Sequence, residues 1–95
     1  MNERPERLLA TSADIERLVG LVKALDDEEQ VRLVLDDGSR VEGVVAARPS
    51  MQFFREVDGR EGSNALLRLE PLAGDTRPHY LWLDRIVEVT RLGSS

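Results

Sequence analysis

Ninety-five residues suit a single domain, long enough to bury a core without staples, and the chain contains no cysteine. Thiol catalysis, thiolate metal sites and disulfide frameworks are thereby excluded, and the composition fits a reducing, cytoplasmic setting. Eighteen acidic against 13 basic side chains give a net charge of −5, so the general pull on phosphates that dominates non-specific nucleic-acid affinity is missing and RNA binding would need a local patch.

The opening segment MNERPERLL has scattered charges and no apolar run long enough for a signal-peptide core or a membrane span. It reads as a flexible N-terminus over residues 1–11 of a chain with no membrane partner. Thr11 to Asp14 then carries a capping-box pattern, and Ile15, Leu18, Val19 and Val22 recur at helical spacing. A helix over 12–25 is predicted, with its apolar stripe on a sheet. Asp26 to Glu29 is an acid run where the helix dipole disfavours negative charge, so it should end the helix; it lacks the spacing and glycine of a calcium loop.

From Gln30 the period drops to two. Val31, Leu33 and Leu35 share one face, as do Val41, Gly43 and Val45, with the turn residues Asp36, Asp37 and Gly38 between them. A two-residue loop would set apolar against charged residues. A three-residue loop from Asp37 to Ser39 aligns Leu35 with Val41 and puts Gly43 opposite Leu33, and it is the expected register. An interior strand glycine such as Gly43 marks a sharp bend. Pro49 then breaks the ladder, Met51 to Val57 resumes an extended pattern, and DGREGS forms a turn. Asn64 to Glu70 reads as a return strand. Tyr80 to Leu83 and Ile86 to Leu92 close the chain as two short strands, and 93–95 reads as a frayed tail. The expectation is mostly β: one helix and a strongly bent five-stranded antiparallel small barrel over 30–92, in a single domain spanning 1–95.

The element order, together with LDDGSRVEGVV, resembles the Sm-like (LSm/Hfq-type) family of small, SH3-like barrels, in a divergent uncharacterised bacterial branch. Its first motif is similar to the placement of Leu35, Asp37, Gly38, Gly43 and Val45. The family's pocket aspartate has Arg48-Pro49 in its place, and Asn64 resembles the asparagine that opens the third strand, at the expense of a long insertion from Met51 to Ser63. Aligning Met51-Gln52 there instead avoids the insertion but leaves an extra strand. At the second motif the Arg-Gly and Lys-His signatures are absent, with Leu83-Asp84 in the latter place, an acid where a cation should approach phosphate.

No nucleophile, acid–base pair or metal set is visible, so neither enzyme activity nor a cofactor, metal or small-molecule substrate is expected. His79 is the only histidine and reads as a surface group at a strand start. Two roles remain. The first is a non-enzymatic assembly or protein-interaction module, a homo-oligomer or partner-binding barrel, using exposed strand edges at Tyr80, Trp82, Ile86, Val87 and Val89. The alternative is RNA binding on a non-standard surface, with Phe53 and Phe54 as a stacking platform and Arg48, Arg55 and Asn64 beside it. Acidic charge and missing pocket residues disfavour the latter. Gly38, Gly43 and Pro49 are structural positions in either case.

Overall fold

The Thr11 hydroxyl accepts the Asp14 N–H at 3.1 Å and starts α1 at Ser12–Ala24, as the capping pattern predicts. This computed structural model describes residues 5, 7–72 and 77–94, the side chain of Ser94 excepted. Leu18 and the C-capping Leu25 are fully buried, and Ile15, Leu21 and Val22 pack against the same core. Val19, expected on that stripe, lies at its exposed rim, because Leu21 takes the inward place. After the helix the acid run does more than stop it. Asp27 accepts the Arg48 backbone N–H and Asp26 pairs with the Arg48 guanidinium, so the helix end grips a distant corner of the sheet.

Alternation builds β1 (Glu29–Leu35) and β2 (Arg40–Val45), with Val31, Leu33, Leu35, Gly43 and Val45 turned inward. The hairpin register differs from the expected one by one step of the pleat: Leu33 faces Val41 and Val31 faces Gly43. The reason is local. Leu35 closes the loop by accepting from the Gly38 N–H and donating to the Ser39 carbonyl, both at 2.9 Å, and Gly38 adopts φ 86°, which glycine tolerates. The three loop residues are therefore Asp36 to Gly38. Since the slip is two residues, every side chain keeps its face.

Six strands form, one more than expected. β3 (Met51–Arg55) and β4 (Glu61–Glu70) make a hairpin, and the far half of β4 pairs with β2 through Val45 and Leu69. β2 and β3 thus lie along the same edge of β4, as one ribbon broken at the corner before the buried Pro49. Proline has no N–H for a ladder, which explains why the ribbon is interrupted where it turns. β5 (His79–Trp82) pairs with the other edge of β4, and a 3₁₀ turn (Leu83–Arg85) leads into β6 (Ile86–Ser94), which pairs with β1. The order is β3-β4-β2-β1-β6 with β5 on β4, all antiparallel; among the described residues no ladder joins β5 to β6, so the bent sheet is not a closed ring. Gly93 and Ser94, expected to fray, pair with Gln30 and Glu29.

Gly43 is where the bend is set. A Cβ there would lie 2.6 Å from Leu69 Cγ and closer still to the Glu70 carbonyl oxygen, because β4 crosses directly over it. The obstruction includes backbone, which cannot rotate away. Gly43→Ala is therefore expected to lower the unfolding free energy by about 3 kcal/mol, within the overpacking range. Urea denaturation checks this, and a loss under about 0.5 kcal/mol, typical of an unconstrained surface site, would contradict it.

Candidate functional site

The buried polar centre of the fold is Asn64, wholly inaccessible on β4. Its Nδ2 donates to Asp84 Oδ1 at 2.8 Å and to the Arg7 carbonyl at 3.2 Å, and its Oδ1 accepts the Ala65 N–H at 2.9 Å. Only this orientation of the amide faces donors with acceptors. Arg7 also approaches Asp84 Oδ2 at 3.7 Å and Asp36 at 3.5 Å, while Arg85 spans Asp36 at 3.4 Å and Asp37 at 3.3 Å. The Asp36 N–H donates to the Arg85 carbonyl at 2.8 Å, so the β1–β2 turn and the 3₁₀ turn are knitted together. A depression of about 110 Å³ remains, lined by Arg7, Asp36, Trp82, Asp84 and Arg85.

The arrangement is a closed network of opposite charges. Asn64, placed at the nucleotide surface only in the alternative RNA reading, uses its amide inside the protein, and Asp84 gives one carboxylate oxygen to it. Buried polar groups that are satisfied in this way rigidify a fold, and leaving one unpaired costs about 1–3 kcal/mol. Among the described residues no buried side-chain nitrogen or oxygen lacks a partner, and no three potential metal ligands gather. At the rim, the Ser39 hydroxyl and then its N–H hold the Asp37 carboxyl below the usual range, with Arg85 assisting.

The other proposed RNA-facing residues are scattered by the fold. Arg48 sits at the corner, engaged by Asp26 and Asp27. Arg55 pairs with Glu61 across the hairpin. Phe53 and Phe54 point to opposite faces of β3, as neighbours in a strand must. Phe54 meets Trp82 edge-on, with ring centroids 5.8 Å apart and planes at 77°, a geometry that adds about 1 kcal/mol to burial. Phe53 is 63% exposed. A two-ring stacking platform is therefore not assembled.

Of the residues expected at strand edges, Tyr80 and Val87 are 44% and 54% exposed, and Trp82 and Val89 are half-buried. Ile86 is fully buried in its own core, at the start of β6 where Arg17 reaches its carbonyl from the helix. Unforeseen was the role of the segment before the helix. Leu9 exchanges both backbone hydrogen bonds with Ser63, at 2.9 and 2.8 Å, on β4 beyond the end of β5. Gly62 allows this approach, since a Cβ there would lie 2.7 Å from Leu8 Cβ. The signal was available as a second glycine inside a strand pattern, masked by the turn-like run DGREGS. Residues 1–4 and 6 of the expected flexible segment lie outside the described residues.

Residues 2–92 match a family described as a domain of unknown function (DUF3247). The fold is similar to the crystal structure of XC5848 from Xanthomonas campestris, described as adopting a novel variant of the Sm-like motif, with 42% sequence identity, a TM-score of 0.83, and coverage of 95% of this chain and 97% of that one. Comparison with curated proteins gives no match. Among the described residues, no helix is long and apolar enough to cross a membrane.

Two outcomes follow from the network. Asn64→Ala is expected to destabilise by about 2 kcal/mol, and Asn64→Asp by more at neutral pH because it sets two carboxylates together. The excess loss in Asn64→Asp should shrink on acidification, as one carboxyl gains the proton that restores a donor; equal losses at both pH values in urea titrations would contradict the network. For Asp37 the folded carboxyl is held low, so its contribution is present above the unfolded carboxylate range and is lost as pH falls through the folded value. Ser39→Ala should raise the Asp37 value toward the ordinary one in an NMR titration, and an unchanged value would refute the assigned cause.

Proposed function

The chain belongs to the DUF3247 family, and on an Sm-like fold of this kind we propose that it is a non-enzymatic assembly module, joining a second copy or a protein partner along β5 and β6. One observation carries the reading. β5 is paired only on its β4 side and β6 only on its β1 side, so among the described residues each of these two strands leaves one edge open. An open edge presents a row of backbone donors and acceptors that pair readily with another strand. Tyr80, Val87 and Leu92 expose apolar surface along these strands, and the fully buried Ile86 and Leu83 anchor them from behind. Joining a β5 edge to a β6 edge is head-to-tail, which generates closed rings or open filaments according to the rotation.

RNA binding has less support. The guanidiniums of Arg48 and Arg55 are already matched by acids, the Asn64 amide is consumed internally, and the net charge is −5. Phosphate contacts would first have to break these pairs.

Light scattering after size exclusion should give a mass above the 10.7 kDa of one chain, rising with concentration. Tyr80→Lys combined with Val87→Lys should weaken the association by about tenfold or more, since each exposed ring or branch is replaced by a charge that resists burial. A strict monomer at high concentration would refute self-assembly. Fluorescence anisotropy with short A-rich and U-rich RNA at low salt should show no binding to micromolar protein; saturable binding would favour the RNA reading instead.

A further inference from the structure

The β3 edge lies apart from the edges of β5 and β6, and its hydrogen-bonding groups can be assigned. Glu56 N–H donates to the Arg60 carbonyl at 2.7 Å, and Ser63 directs both backbone groups to Leu9. Bonded and non-bonded pairs alternate along an antiparallel ladder. Gln52 with Asn64 and Phe54 with Gly62 are therefore the bonded pairs, while Met51, Phe53 and Arg55 turn their N–H and C=O groups away from β4. Among the described residues β3 pairs with β4 alone.

From this we infer that β3 is a self-pairing edge: β3 of one chain adds antiparallel to β3 of a second copy about a two-fold axis through Phe53. Of the registers that the outward groups allow, this one overlaps the whole strand. It sets Phe53 against the Phe53 of the second copy, Met51 against Arg55 and Gln52 against Phe54. The exposed aromatic rings then meet as a cross-strand pair, an arrangement that stabilises sheets. No like charges face each other, because Arg55 meets a methionine and is already balanced by Glu61. A register centred on Arg55 would instead oppose two arginines. The segment MQFFR also has neither the proline nor the lysine that commonly blunts an edge. A five-residue edge buries less than the roughly 1,000 Å² of a stable interface, so the pairing is weak and concentration-dependent. It does not depend on the β5 and β6 edges.

Because the chain has no cysteine, single-cysteine variants give a clean test. In concentrated protein under mild oxidation, Phe53→Cys should form a covalent dimer about tenfold faster than Lys23→Cys on the exposed helix surface, since pairing holds the two Cα atoms within the roughly 4.4–6.8 Å that a disulfide spans. A mixture of Met51→Cys and Arg55→Cys should cross-link as a heterodimer faster than either variant alone, which tests the register with Phe53 intact. Circular dichroism confirms that each variant folds. The same cross-linking should persist when Tyr80→Lys and Val87→Lys are added, so the two interfaces fail separately. Phe53→Cys reacting no faster than Lys23→Cys, or Met51→Cys alone reacting as fast as the mixture, would overturn the inference.

Discussion

The fold depends on one close approach, the passage of β4 over Gly43. Backbone meets backbone there with no room for a methyl group, since Leu69 and the Glu70 carbonyl occupy the space a Cβ would need. That contact lets β2 bend so that its end pairs with the far half of β4, while its continuation β3 pairs with the near half. Val45, Leu67 and Leu69 then fall into one core with Leu18 and Leu25 from the helix, and Leu33, Leu83 and Ile86 complete it. A flat sheet would leave these apolar faces without a common interior.

Charge follows the same economy. Acids at the helix end hold the corner arginine, acids of the β1–β2 turn hold Arg85, and Asp84 satisfies the buried Asn64. The Asn64 amide is enclosed from within, and Arg7 approaches Asp84 and Asp36 from the segment preceding the helix. Among the described residues the outer edges of β3, β5 and β6 carry no ladder, and Phe53, Tyr80 and Val87 are exposed on these strands.

Much of this was legible in the residues. Thr11 and the helical stripe placed α1, the alternation around Asp36 to Gly38 placed the first hairpin, and Gly43 located the bend. The Sm-like resemblance pointed to the fold class. The exact turn was not legible, because Asp36-Asp37-Gly38-Ser39 supports more than one three-residue loop and the choice rests on where Gly38 takes its left-handed conformation. The sixth strand was obscured by Pro49, which breaks local pairing without ending the ribbon. Asn64 illustrates the deeper difficulty: an asparagine at a strand start has the same signature whether it faces a ligand or a buried aspartate twenty residues on. Arg48 and Asp26 likewise reveal their pairing only once the helix end and the sheet corner are brought together.

Residue-resolved amide hydrogen exchange tests the Gly43 crossing most directly. The Ala46 N–H, bonded to the Arg68 carbonyl at 3.1 Å, and the Glu28 N–H, bonded to the Val45 carbonyl at 2.8 Å, sit where β2 leaves the crossing. If β4 pins the bend there, both amides exchange as slowly as the central β1–β2 ladder and open only with global unfolding. Exchange at the rate of a loop, with the β1–β2 ladder still protected, would show that the crossing does not hold the fold together.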